Sequence, residues 1–376
     1  MRRLRFWPPE VGAFFLRFLD GGQEPDPVRE SIFLKPIDPK NIRRIMLRST
    51  NWVGDAVMTT PAMADVRRAF PDAEIAVVAN PMVAQLFSYH PYCDRVIVYD
   101  KKGPHKGVAG LWRFARELRK EKFDLAILLQ NAIEAAILAF AAGIPRRAGY
   151  RTDARGFLLT HGVPVGIEQK RLHHTEYYRH MLRHFCHGDG DGRLCLACTD
   201  EEIALAGKSL AGGRWVAINP GAAYGSAKRW LPERFAEVAD GLAKEFGLQV
   251  VLTGGPAEQE IGRDIEKAMH TPALNLIGKT SIRQLMAVLA ACSLVVTNDS
   301  GPMHVAAAFD VPIVAVFGPT DHTTTSPWSQ KVRIVRKDTE CAPCLLRQCP
   351  TDHRCMRAIS AADVLEAARG LLGGMA

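Results

Sequence analysis

No apolar run in the 376-residue chain is long enough to cross a bilayer as a helix. The amino-terminal MRRLRFWPPEVGAFFLRFLDGG is basic and then apolar, but Pro8, Pro9, Glu10 and Arg17 interrupt it. No small-residue cleavage site follows, so it is expected to be an extension or a membrane-surface segment rather than a secretory signal. Nine cysteines, an odd number, do not make a complete disulfide framework; a reducing cytoplasm suits them better. Neither G-x-G-x-x-G nor G-x-x-x-x-G-K-[ST] is present, which removes the dinucleotide fingerprint and the P-loop. The aromatic RNP-type strand and the KH-type loop are missing too, and with them the main argument for nucleic acid as a partner. Low-complexity tracts and short-period repeats are also absent.

What is present is an ordinary globular composition, 47% hydrophobic and 23% charged, of a length that suits two domains. The net charge of +8 is uneven. Residues 1–184 hold 29 Lys and Arg against 19 Asp and Glu, a balance of +10, and residues 185–376 hold 19 against 21, a balance of −2. The first half is therefore expected to face something anionic.

From Ile42 onward, short apolar runs alternate with helical patterns. IRRIMLRS, EIAVVAN, DRVIVYD and DLAILLQ read as strands. GDAVMTTPAMADVRRAF reads as one helix that tolerates Pro61, followed by helices in MVAQLFSY, GLWRFARELRKEKF and AIEAAILAFAAG. GIPRRAGYRTDARGFLLTHGVP is expected to be mainly loop, HTEYYRHMLRHF a helix, and the glycine-containing residues 188–213 an interdomain linker. The pattern then restarts with strands in RWVAINPG, LQVVLTGG, SLVVTNDS and PIVAVFGPT. Helices are expected in PERFAEVADGLAKEF, AEQEIGRDIEKAM, SIRQLMAVLAAC and, capped by Ser360, SAADVLEAARGLL. The expected fold class is α/β: two facing Rossmann-like domains with parallel sheets and a cleft between them. The expected divisions are an extension at 1–41, a first domain at 42–187, the linker, a second domain at 214–356 and a carboxyl-terminal helix at 357–376.

Ligands in such sheets lie beyond the carboxyl ends of the strands, and the unusual residues fall there. In TNDSGPMH, Asp299 and Ser300 suit a helix cap, Pro302 the first turn, and Gly301 a close backbone approach. The start of that helix suits a phosphate, or needs nothing more than its caps. His304 is either a satisfied core histidine or a donor to the same anion. Asn219-Pro220-Gly221 opens a small-residue loop that carries Lys228, suited to a diphosphate or to a solvated surface. Glu258 after Gly254-Gly255 suits ribose hydroxyls, and equally the dipole of a first helical turn. Asp55 in NWVGDAV suits a general base, with the same ordinary alternative. Gly318-Pro319-Thr320 is either a second wall of the site or a turn. Cys341, Cys344, Cys349 and Cys355, around His353, have a compressed spacing unlike a standard zinc finger, and Cys195 and Cys198 form a weaker pair. The expectation is no metal.

Taken in order, NWVGDAVMTTPA, GIPRRAGYRTDARGFLLTH, NPGAAYGSAKRWLPERFAEVA, TNDSGPMHVAAA, VFGPTD and CAPCLLRQCPTDHRCM resemble the ADP-heptose:lipopolysaccharide heptosyltransferases, glycosyltransferase family 9. The resemblance runs from about Ile42 to the carboxyl terminus. NWVGDA, the cysteine-rich end, and Ser300 in place of threonine resemble most the branch that adds the second heptose of the inner core. The resemblance implies a GT-B fold and an inverting transfer that needs no cofactor, with ADP-L-glycero-D-manno-heptose as donor. The implied acceptor is an anionic, Kdo- and heptose-bearing lipid A, met at the inner membrane by a peripheral cytoplasmic enzyme. It implies Asp55 as the base and Lys228 as the partner of the leaving diphosphate. Glu258 would bind the ribose, and Asp299, Ser300, Gly301 and His304, with Gly221 and Thr320 beside them, would line the donor. Arg146, Arg147 and Arg151 would meet the acceptor. The alternatives are a relative with another donor or acceptor sugar, and a non-catalytic sugar-nucleotide-binding protein of membrane assembly.

Overall fold

The computed structural model describes residues 36–373 apart from Asp189, so nearly all of the amino-terminal extension lies outside the described residues. Two parallel six-stranded sheets organise the chain. The first contains β1 (Arg44–Arg48), β2 (Glu74–Ala79), β3 (Arg95–Val98), β4 (Leu125–Leu128), β5 (Arg146–Tyr150) and β6 (His161–Val163), in the order β3-β2-β1-β4-β5-β6. The second contains β7 (Trp215–Asn219), β8 (Gln249–Leu252), β9 (Ala273–Asn275), β10 (Leu294–Asn298), β11 (Ile313–Val316) and β12 (Val332–Val335), in the order β12-β11-β10-β7-β8-β9. Each sheet reverses its winding direction beside its first strand, between β1 and β4 and between β7 and β10. A crevice opens at the carboxyl ends there, because the connections leave to opposite sides.

The central strands are continuous apolar runs because both sheet faces are covered. β4, β7, β10 and β11 are buried along their whole length. One core gathers Met46, Val78, Phe114, Leu118 and Leu138 around the first sheet. The other gathers Val216, Trp230, Phe235, Leu242, Val296 and Val316 around the second. The last helix, Ala361–Leu372, sends Val364, Ala368 and Leu372 into that second core. Ser360 caps it by accepting from the Asp363 amide.

Three expectations need correction. Pro61 is not absorbed within one helix: the segment is two helices, Val53–Met58 and Thr60–Ala69. The pyrrolidine ring lacks an N–H and crowds the carbonyl four residues back, so the first helix stops and Pro61 takes the first turn of the second. Thr59 and Thr60 donate their hydroxyls to the Ala56 and Val57 carbonyls, at 2.6 and 2.8 Å. The basic segment 143–164 is not only loop, since it also supplies β5 and β6. These strands are short and lack a clear alternation; β5 is ordered by pairing with β4, and β6 by pairing with β5. The stretch 188–213 contains a helix, Asp200–Ser209, opened by a reciprocal Thr199–Glu202 capping box whose T-x-x-E signature is present in the sequence.

Candidate functional site

The second sheet contributes a wired cluster of side chains. Asn298, fully buried at the end of β10, donates to the Pro220 carbonyl at 2.7 Å and accepts from the Trp230 amide at 3.1 Å. One amide side chain thus holds both ends of the loop that carries Lys228. The next residue, Asp299, is 5% exposed. One of its oxygens receives Lys228 Nζ and the Thr320 hydroxyl, each at 2.6 Å. Thr320 is therefore part of the site wall rather than a detached turn. Ser300 does not cap the helix it precedes. Its hydroxyl turns to Asn219 Oδ1 at 3.3 Å, and the Asp299 carboxylate is occupied by Lys228 and Thr320. The helix Gly301–Ala308 therefore opens with no side-chain cap, which leaves its first amides for another acceptor.

Glu258 closes a short 3-10 turn, Pro256–Glu258, and accepts from the Gly255 amide at 2.6 Å. Its carboxylate lies against Gly221, where an added Cβ would sit 1.9 Å from Oε1. A side chain at Gly221 would push the Glu258 carboxylate away. Glu258 thus faces the loop at the end of β7, a location that pure dipole matching in a helix turn does not require.

Asp55 lies in the first turn of the helix Val53–Met58, and its side chain is 30% exposed. This helix packs on Gly301–Ala308 of the other half. A Cβ on Gly54 would sit 2.8 Å from His304 Cδ2, and a Cβ on Gly301 would sit 3.1 Å from Val53 Cβ. His304 is buried and its Nδ1 has no hydrogen-bond partner, so it is not a satisfied core histidine. Burial pushes its pKa down to about 4, against the opposing pull of Asp299 and Asp55. The ring is neutral at pH 7, between a carboxylate from each half. Beside Asp55 lie His174, with Nδ1 3.4 Å from Oδ1, and the buried Tyr178. Burial first, and then Asp55, holds the Tyr178 phenol well above its ordinary range.

The three arginines separate. Arg151 follows β5 at the carboxyl edge and is exposed. Arg146 and Arg147 open the same strand, in register with Leu125 and Ala126 at the start of β4, and so lie at the opposite end of the sheet from the cleft. The Arg147 guanidinium is spent on the Leu158 and Ile144 carbonyls, both at 2.6 Å, and lies 5.4 Å from the Phe140 ring centroid. The fold does not bring these two residues to Asp55.

The cysteine-rich segment buttresses the site. The Arg347 carbonyl accepts from the Ala227 amide at 3.0 Å, and His353 Nε2 donates to the Ala227 carbonyl at 2.7 Å. Tyr224 donates its hydroxyl to the Leu345 carbonyl at 2.9 Å, and the Leu345 amide bonds the Pro319 carbonyl at 2.8 Å. The segment therefore braces the Lys228 loop and the turn before Thr320 together. Cys341, Cys344, Cys349 and Cys355 are free thiols. Among the described residues no group of three or more Cys, His, Asp or Glu side chains is arranged to hold a metal. Sequence reasoning missed Asn298, His174 and this brace; the sole prior signal was the position of Asn298 at the end of an apolar strand.

Comparison with known proteins gives a consistent picture. A model of glycosyltransferase family 9 (heptosyltransferase) matches residues 111–354. The lipooligosaccharide heptosyltransferase 2 of Campylobacter jejuni subsp. jejuni serotype O:2 is 32% identical over 336 residues, 88% of this chain and 98% of that protein. The crystal structure of a family 9 glycosyltransferase from Veillonella parvula superposes with a TM-score of 0.81 at 29% identity, covering 90% of this chain and 98% of the other. The structure of the E. coli ADP-heptose LPS heptosyltransferase II superposes with a TM-score of 0.75 at 29% identity, covering 89% of this chain and 100% of that one.

Proposed function

The chain belongs to glycosyltransferase family 9, the heptosyltransferases, and from that premise we propose that this glycosyltransferase moves L-glycero-D-manno-heptose from ADP-heptose onto the heptosyl-Kdo-lipid A inner core as the second heptose. The observation that carries the reading is the contact of Gly54 with His304, which holds the Asp55 helix against the Asp299–Gly301 segment. A base on one wall and an uncapped helix start with a lysine on the other suit an in-line displacement.

In this reading Asp55 takes the proton of the acceptor hydroxyl as the oxygen bonds the anomeric carbon. The bond from that carbon to the ADP oxygen breaks on the opposite face, so configuration inverts. The charge that develops on the diphosphate is met by Lys228, Ser300, the Gly301 amide end and Thr320. Glu258 accepts from the ribose hydroxyls across Gly221. Arg151 at the carboxyl edge, not Arg146 or Arg147, is the arginine of the three that suits an anionic acceptor. The proposed setting is peripheral, at the cytoplasmic face of the inner membrane. Among the described residues no helix is long and apolar enough to cross a membrane, and the +10 balance of the first half suits anionic lipid.

The test is incubation with ADP-heptose and a one-heptose core acceptor, followed by mass spectrometry. Gain of one heptose with release of ADP is expected. Transfer from ADP-mannose or a UDP-sugar in preference would replace the donor, and ADP-heptose binding without a mass gain would replace the enzyme with a binding protein.

A further inference from the structure

His174 opens the helix His174–Arg183, and its position is set by its neighbour. His173 Nδ1 accepts from the Thr175 amide at 3.2 Å, so the ring proton lies on Nε2, which donates to the Ser326 carbonyl at 2.9 Å. The same ring lies tilted against Trp328, centroids 4.5 Å apart. Trp328 in turn donates its indole N–H to the Gly192 carbonyl at 2.9 Å. Ser326 and Trp328 follow β11, in the second half; His173 belongs to the first. The start of this helix is therefore clasped across the cleft, next to the candidate base.

The His174 ring lies about as far from Tyr177 as from Tyr178, with centroids 6.3 and 6.5 Å away. Its Nδ1 is buried and lacks a hydrogen-bond partner, yet lies 3.4 Å from Asp55 Oδ1. That separation suits an ion pair and is not aligned as a hydrogen bond. Catalytic hydrogen bonds are commonly long before substrates bind and tighten with them. The charged and titratable groups around it are Asp55 from the Val53 helix, His173, Glu176, Tyr177 and Tyr178 from His174's own segment, and His304 and Asp299 from the second half.

We propose that His174 is a positioning residue for the Asp55 carboxylate, seated by the His173–Ser326–Trp328 clasp so that the base is aligned when the two halves are together. The inference rests on the reading of Asp55 as the base. It supplies a reason for an imidazole at this point: a ring N–H aimed at one carboxylate oxygen leaves the other oxygen to face the acceptor hydroxyl.

The experiment compares wild type, His174→Asn, His174→Phe and Trp328→Ala in steady-state heptose transfer across pH, with ADP binding measured separately by calorimetry. His174→Phe is expected to lower kcat by about tenfold to a hundredfold, the range of a misaligned reacting group, with KM for ADP-heptose within about twofold. His174→Asn retains an N–H near the Nδ1 position, so it should stay within about threefold of wild type in kcat, rescuing most of the His174→Phe loss. Trp328→Ala should move kcat in the same direction by less. A His174→Phe enzyme with wild-type kcat and pH curve overturns the proposal, as does a loss that His174→Asn does not rescue. If His174→Phe does not fold, His174→Leu takes its place with the same expectation, and a wild-type kcat in that variant overturns the proposal. Failure of the functional reading is separable: wild type would then transfer no heptose. The pairing is in that case decided by the His174 ring NMR signals in Asp55→Asn, which must move for the proposal to stand.

Discussion

The two sheets share a strand order and differ in how they treat their functional residues. Around β7 and β10 the polar groups are already wired: Asn298 holds two loops, Asp299 holds Lys228 and Thr320, and Glu258 returns to its own turn. Around β1 the candidate base is a single part-exposed carboxylate with one loose partner. A wired half suits a ligand of fixed shape whose charge must be met without reorganisation. An open, basic half suits a large anionic acceptor. On the proposed reading, the wired half would take the donor and the open half the acceptor.

The sharpest way to break this comparison is at Asp55. Asp55→Ala should lower turnover about 10²–10⁴-fold with ADP affinity unchanged, because the residue lies outside the wired half. Equal losses in both measurements would make it a donor residue. Lys228→Ala should remove on the order of 2.7–4 kcal/mol of transition-state stabilisation, read as kcat/KM. It also strands the buried Asp299, so its Tm should fall, whereas Asp55→Ala should leave Tm nearly unchanged.

Each half also buries a histidine whose pKa is pushed down to about 4, His90 in the first and His304 in the second, with burial the first cause for both. The folded value lies below the ordinary value of about 6.5, so the unfolded chain takes up protons first. The contribution of each is whole above about pH 6.5 and drains as pH falls toward 4, by a few kcal/mol apiece. Urea unfolding at pH 7 and at pH 4.5 should show the loss, and His304→Gln should recover part of it; equal stability at both pH values would refute the burial argument. The smallest effect separates two arginines. Arg151→Ala should raise acceptor KM several-fold with Tm retained. Arg147→Ala should lower Tm, from loss of its short bonds to the Leu158 and Ile144 carbonyls at about 1 kcal/mol each, with acceptor KM retained. The reverse pattern would return Arg147 to the acceptor.

Much of this site was legible in the sequence because strand ends carry their own signature. NDSGP, NPG, GGP and GPT each break an apolar run with residues that an ordinary strand end does not need, and Asp299, Gly221, Glu258 and Thr320 were singled out as candidates that way. Arg146 and Arg147 were misread because a basic run shows charge but not which end of a strand it opens. The helix at Asp200 was missed although its capping box was written out, since the surrounding glycines masked the pattern.

The sequence by itself determined the two α/β halves, their charge asymmetry and the residue types at the strand ends, because periodicity, turn chemistry and charge are local. The tertiary structure alone decided that Lys228 reaches Asp299 across 71 residues, that Tyr224 is braced by Leu345 across 121, and that His173 clasps Ser326 across 153. It also decided that Gly54 lies under His304 and that Asp55 meets His174. Such pairs depend on where whole elements pack, within a half as well as between the halves, and no local pattern of side chains encodes a contact between segments so far apart in the chain.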